Sequence, residues 1–319
     1  MSQTHVSFEP PPFIERPLWP IPRLNLLLFA ATIFSTMMVG DFNTSSSIPH
    51  STWEMFDVWQ GWPYAAAVLF ILTCHEMGHF FAARYHGMDV SWPFYIPVPI
   101  WGLFHFGTMG AFIKIRSRMP HRNALMDVAV AGPLAGFVAA LIVLWIGYAQ
   151  IDGLQEVIQT VEKVHPWSGS AGGLTLGGSL LFDLFNNYAG AGLVPMNEIY
   201  HFPLLFAGWV GFFVTAMNLF LIGQLDGGHV IYAIMGRRSL AVSLLSYSGL
   251  VGLSIYLYLQ HGSNGLIWVL WMVLLLVIGL GHPPTLNDNR SLSRGRLILG
   301  LLCILIFFLC FIPLPVFLA

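Results

Sequence analysis

Hydrophobic residues in this chain fall in long, nearly unbroken runs divided by short polar stretches, without the alternation that marks half-buried elements of a soluble domain. The runs lie at about 24–40, 62–84, 125–149, 203–222, 242–259, 264–281 and 297–317, each near the roughly 20 apolar residues a helix needs to cross a bilayer. A shorter helix at about 228–236 completes the fourth. The pattern predicts an all-α polytopic membrane protein of about seven transmembrane helices. One apolar interval breaks it. Residues 89–115, DVSWPFYIPVPIWGLFHFGTMGAFIKI, hold Pro93, Pro97 and Pro99 and a Gly-Thr-Met-Gly turn, which exclude a continuous helix. This interval is expected to be a re-entrant, β-hairpin-like segment. It serves either to pair with an extended substrate, as strand-addition sites do, or as an ordinary structural loop.

The runs divide the chain into a cytoplasmic N-terminal tail (1–23), a first span with its outer loop (24–61), a central unit (62–236) that includes an outer segment at 150–202, and C-terminal spans (237–319). The outer segment is glycine-rich and short of strand-like alternation. At about 50 residues it is too short for a PDZ-type domain of about 90, a size within the usual domain range. Its piece 172–188 is predicted to be an amphipathic helix at the membrane interface.

Composition agrees with a membrane protein. The chain of 319 residues is 56% hydrophobic and 9% charged, where a soluble domain carries about 25% charged residues. A formal charge of −2 gives no reason to expect nucleic acid as a partner. The cysteines Cys74, Cys303 and Cys310 all lie in apolar runs and are odd in number, so they do not form a disulfide framework. With the N-terminus inside, Arg16, Arg23, Arg84, Lys114, Arg116, Arg118, Arg122, Arg237, Arg238, Arg290, Arg294 and Arg296 lie on the cytoplasmic side and Lys163 alone lies outside, as the positive-inside rule requires. The polar, proline-rich start has no compact basic region, no cleavage site and no Arg/Ser-rich leader. The expected location is therefore a bacterial inner membrane, with the first run retained as a span.

Within the second run stands TCHEMGHFF, residues 73–81. Ionisable groups at membrane depth cost about 2–3 kcal/mol or more each unless paired, hydrated or bound to metal. On a helix, His75 and His79 share one face and can reach one ion, while Glu76 can approach an attacking water without being a ligand. With 12 histidines in 319 residues, this pattern arises by chance about 0.01 times, so the alternative of two satisfied histidines and an ion-paired Glu is the weaker reading. A third ligand is needed. His86 lies about 16 Å farther along the helix and cannot share the ion. Asp226, in NLFLIGQLDGGHV (218–230), sits among Gly223, Gly227 and Gly228 at the end of the fourth span. That span and the second run in the same sense, so the two motifs arrive at similar depth. The alternative for Asp226 is a helix cap or a partner for Arg237 or Arg238. His229 either orients Asp226 or caps the broken helix, the Gly132 and Gly136 pair is a helix-packing element, and Cys74 is structural.

HEMGH on one span, AGPLAGF at 131–137 and the Asn218 and LDGG pair on a later span together resemble the site-2 protease family of intramembrane zinc metallopeptidases, over about residues 62–236. The stretch 93–137 is most similar to the subgroup without a PDZ domain, which includes bacterial members and plant chloroplast proteins named for ethylene-dependent gravitropism deficiency. The resemblance implies that His75, His79 and Asp226 bind one Zn2+ per chain and that Glu76 is the catalytic base. It also implies that Asn218 positions the substrate backbone or the oxyanion, and that the substrate is a transmembrane protein met within membrane lipid. Where many members have proline three residues after the asparagine, this chain has Leu221. The other readings of the same residues are a divalent-metal transport protein and a catalytically silent scaffold. Transport needs further polar groups across the spans, and the last three runs contain no Asp, Glu, Lys or Arg.

Overall fold

The computed structural model describes residues 21–44, 58–100, 105–164, 174–289 and 291–318; the tail before residue 21 and the outer loop at 45–57 lie outside them. Each predicted apolar run contains a helix. In chain order the helices are α1 (Arg23–Thr44), α2 (Trp62–Tyr85), α3 (Arg122–Ala149), α4 (Leu154–Val164), α5 (Leu180–Tyr188), α6 (Pro203–Asn218), α7 (Asp226–Met235), α8 (Ser239–His261), α9 (Ile267–Ile278) and α10 (Arg294–Cys310). Among the described residues, four segments are long and apolar enough to cross a membrane: Arg23–Thr44, Trp59–Tyr85, Arg122–Ala149 and Asp226–Ile278. The predicted fourth span is divided into α6 and α7 by the non-helical residues 219–225.

The glycines show how the helices run. A Cβ on Gly132 would meet the His79 ring and one on Gly136 would meet His75, whereas Gly208 faces Leu144 and Gly211 faces Ala140 and Ile71. Hence α3 is antiparallel to both α2 and α6, and α2 and α6 run in the same sense, as their polar motifs require. α3 continues through Pro133 without a break. The buried centre is aromatic and aliphatic, with Tyr64 stacked on Phe206 at 5.0 Å and Trp209 donating to the Gly177 carbonyl at 2.7 Å.

The interval expected to be hairpin-like is one: β1 (Phe94–Pro97) pairs antiparallel with β2 (Thr108–Phe112), with Phe94 opposite Phe112 and Tyr95 opposite Ala111. Non-helical backbone packed among apolar helices needs partners from the protein, and α1 and α2 supply them. Asn25 donates to the Trp92 and Pro93 carbonyls, Ser35 to Gly107 at 2.6 Å and Tyr64 to Phe106 at 3.0 Å.

Two expectations are corrected. The run 297–317 stops being helical at Cys310, because Pro313 and Pro315 lack the N–H a helix would need; residues Val316–Leu318 instead form β4, antiparallel to β3 (Leu174–Leu176). In the outer segment the helix expected at 172–188 begins only at Leu180, with Ser179 accepting from the Phe182 N–H as its cap, and α4 is an additional helix. The C-terminal helices are tied to the centre by charge: Arg296 on α10 makes a two-pronged contact of 2.7 Å to Asp127 on α3, which also holds His86 at 2.9 Å.

The α1 to α2 contact gives a fold prediction. A Cβ on Gly61 would lie 1.8 Å from the Met37 carbonyl oxygen, whereas one on Gly249 of α8 meets nothing within 4 Å. Gly61→Val is therefore expected to cost at least about 2 kcal/mol, lowering the thermal midpoint of the detergent-solubilised protein by several degrees, while Gly249→Ala leaves it in place.

Candidate metal centre

α2 carries His75, Glu76 and His79 with side chains buried between helices. The one-turn spacing brings the two Nε2 atoms to 3.1 Å from one another. His79 Nδ1 lies 2.8 Å from the Val128 carbonyl of α3; because a carbonyl only accepts, Nδ1 carries a proton, and in the neutral ring Nε2 keeps its lone pair. Asp226, the first residue of α7, points its Oδ2 at both rings, 3.5 Å from His75 Nε2 and 3.2 Å from His79 Nε2. The α6–α7 break makes this possible. A Cβ on Gly227 would lie 2.0 Å from the Leu219 carbonyl oxygen, and one on Gly228 would lie 2.3 Å from that of Gly223. The chain folds back so tightly on its own unwound carbonyls that side chains are excluded there.

The donors fit zinc. Four ligands at about 2.05 Å in a tetrahedron stand about 3.3 Å apart, and the three edges of this triangle are 3.1, 3.5 and 3.2 Å. Two imidazole nitrogens and a carboxylate facing one another in a buried space repel unless a proton or a metal cation lies among them. This is the one group of three or more potential ligands among the described residues.

Glu76 stands beside the triangle, its Oε1 4.0 Å from His75 Nε2, near the backbone of Ile113 just beyond β2. Asn218, the last residue of α6, brings its side-chain amide to 3.2 Å from His75 Nε2. Asp226 thus faces the histidines rather than Arg237 or Arg238. His229 does not touch Asp226 through Nδ1, which meets His282 at 2.6 Å. Two contributions were not read from the sequence. Gly132 and Gly136 are the floor on which the two imidazoles rest, and Ile113 brings the hairpin to the carboxylate. The Gly-x-x-x-Gly spacing opposite HEMGH was the available signal for the first; the second had none.

Hydrolytic metal enzymes of the membrane are the class that such a centre within apolar helices defines. The profile of Peptidase family M50 matches residues 63–259, and the chain belongs to that family, the site-2 protease family of zinc metalloproteases. It is similar to the probable zinc metalloprotease EGY1, chloroplastic, of Oryza sativa subsp. japonica, with 29% identity over 314 residues, 91% of this chain and 50% of that protein. Its counterpart in Arabidopsis thaliana is 26% identical, across 91% of this chain and 53% of that protein. The Arabidopsis thaliana probable zinc metalloprotease EGY2, chloroplastic, is 30% identical across 76% of this chain and 40% of that protein. The chain spans about half the length of these relatives or less. All three are described as chloroplastic and lend no support to the expected bacterial inner membrane. No solved structure matches.

The floor of the site gives the next prediction. A Cβ on Gly132 would lie 2.1 Å from His79 Nε2 itself, whereas one on Gly136 would touch His75 Cβ at 3.0 Å. Gly132→Ala is expected to weaken zinc retention at least about tenfold, and Gly136→Ala less. Metal analysis of the two purified variants after dialysis against a weak chelator reads the difference.

Proposed function

We propose that this chain is an intramembrane protease that hydrolyses a peptide bond in or near a transmembrane segment of another membrane protein, with His75, His79 and Asp226 as ligands to one zinc per chain. The observation that carries the reading is the triangle of donor atoms with edges of 3.1 to 3.5 Å and a glutamate carboxylate 4.0 Å from one corner. Bound there, zinc supplies a Lewis acid that polarises the scissile carbonyl and acidifies water. Glu76 takes the proton of the attacking water and delivers it to the leaving amide nitrogen. The Ile113 N–H lies close enough to that carboxylate to favour its charged form. With His75 Nε2 occupied as a ligand, the Asn218 amide is released to donate to the developing oxyanion.

The substrate must be extended to be cut, since a helix hides its scissile bond. β2 has no strand partner besides β1 among the described residues, and it leads directly into Ile113. A substrate strand laid along its free edge therefore runs past Glu76. Arg84 near the end of α2, Arg122 at the start of α3, and Arg237 and Arg238 just after α7 stand on one side of the bundle, and by the positive-inside rule that side is the cytoplasmic one in this reading. In this reading α6 with α7, α8, α9 and α10 complete seven crossings, and lipid rather than nucleic acid surrounds them.

Metal content separates the ligand roles from the rest. Wild type is expected to carry about one zinc per chain and Asp226→Ala to lose most of it; equal zinc in both would remove Asp226 from the ligand set. Glu76→Gln is expected to retain zinc while its cleavage of a single-span reporter protein falls at least about 100-fold. Unchanged cleavage would exclude Glu76 as the base, and a metal transporter would pass its ion undisturbed by the substitution.

A further inference from the structure

Asp226 is held at the tip of a short helix joined to α6 by the non-helical residues 219–225, against whose carbonyls Gly227 and Gly228 pack. A rotation of α7 by about 20° moves a carboxylate about 5 Å from the helix axis by nearly 2 Å, far beyond the roughly 0.2 Å within which metal–ligand distances are kept. Something must fix that rotation. At its C-terminal end α7 is held by Arg122 of α3, which donates to the Ala233 and Ile234 carbonyls. Its flank is held by the loop between α9 and α10, which lies beyond residues 63–259, the part matched by the family profile.

The contacts of that loop are specific. His282 Nδ1 lies 2.6 Å from the Pro283 carbonyl, so Nδ1 must donate and Nε2 carries the lone pair. That lone pair accepts from His229 Nδ1 at 2.6 Å, three residues after Asp226 and hence near it on the same side of α7. The His282 ring also stacks on Tyr232 at 4.1 Å, and Tyr232 donates to Asp288 at 2.8 Å. The loop is itself anchored, since Leu286 and Asn287 donate to the Met119 and Pro120 carbonyls just before α3, the helix on which the histidines rest. The loop therefore ties α7 to the same frame that holds His75 and His79.

We propose that His282, through His229, is a positioning residue that sets the rotation of α7 and so the placement of the Asp226 carboxylate, with Asp288 assisting through Tyr232. This rests on the metal-site reading above, and the test separates the two. Full-length protein in detergent is compared as wild type, His282→Ala and His282→Gln, whose amide oxygen can replace the Nε2 acceptor. Hydrogen–deuterium exchange of the α7 amides is measured on metal-free protein, and release of zinc to a chelator on loaded protein. His282→Ala is expected to raise both the exchange of residues 226–235 and the zinc release rate about tenfold or more, leaving α8 exchange unaltered. His282→Gln is expected to bring both back within about threefold of wild type.

Values for His282→Ala within about twofold of wild type would overturn the proposal, as would a failure of His282→Gln to restore them. A wild type that holds no zinc would sink the metal-site reading while the exchange comparison still decided the positioning role. Should His282→Ala not accumulate as folded protein, Tyr232→Phe, which deletes only the hydrogen bond to Asp288, decides by the same measurements: faster exchange and release support the proposal, and wild-type values overturn it.

Discussion

The closeness of α2 to α3 is the constraint on which the rest of this structure depends. Two imidazoles and a carboxylate cannot face lipid without a cost of several kcal/mol, so they must be enclosed by helices, and imidazoles fit between two helices only where one of them lacks side chains. Gly132 and Gly136 provide that gap from α3, and Gly78 provides it from α2, where a Cβ would come within 2.4 Å of the Ala131 carbonyl oxygen. The seam is thus emptied from both sides. It also brings the Val128 carbonyl to His79 Nδ1, which fixes the tautomer that leaves Nε2 free to bind. The glycines that let the helices approach decide as well which nitrogen of the histidine is chemically available.

A second constraint follows from the first. Once α2 and α3 enclose the histidines, the third ligand must enter from another element, and a continuous fourth span would present a side chain across its cylinder rather than from its end. Breaking the span at residues 219–225 places Asp226 in the first turn of α7, where unpaired N–H groups and the helix dipole favour a negative charge. The backbone groups freed by the break are taken up nearby, with Gly223 N donating to Ser243 at 3.3 Å and Ile222 N to Phe220 O at 2.8 Å. Gly223 itself sits at a φ of +56° and presses on the Gly279 carbonyl, a close approach that only glycine permits. The break and the loop after α9 are thereby fitted to one another.

What could be read from the sequence was what carries a large local cost. His75, Glu76, His79 and Asp226 were legible because ionisable residues in apolar runs need a reason, and the hairpin at 94–112 because Pro93, Pro97 and Pro99 exclude a helix. The helices were legible by length and apolarity, although the division of 203–236 into α6 and α7 shortens what reads as one span. Three-residue β3 and β4, about 140 positions apart, carry no periodicity of their own, and they pair only because the prolines after Cys310 send the chain back across the outer segment. Likewise His282 shows no motif and acquires its partner His229 through folding alone. Sequence patterns report the cost of a residue where it stands; they do not report which distant residue relieves it.

The hairpin gives the proposed chemistry its energetic sense. A transmembrane substrate arrives with every backbone group bonded within its own helix, and each group exposed to hydrocarbon without a partner costs several kcal/mol. Opening even one turn would therefore be prohibitive unless the enzyme offers replacement partners at the same depth. An unpaired strand edge would do so, and β2, which has no strand partner besides β1 among the described residues, leads into Ile113 near Glu76. Substrate unwinding and delivery to the base become a single event along one strand. The balance then rests on how many of its own hydrogen bonds the substrate must surrender, which is smallest where its helix already contains glycine or proline. Selectivity in such a site comes less from pockets for particular side chains than from the local weakness of the helix being cut.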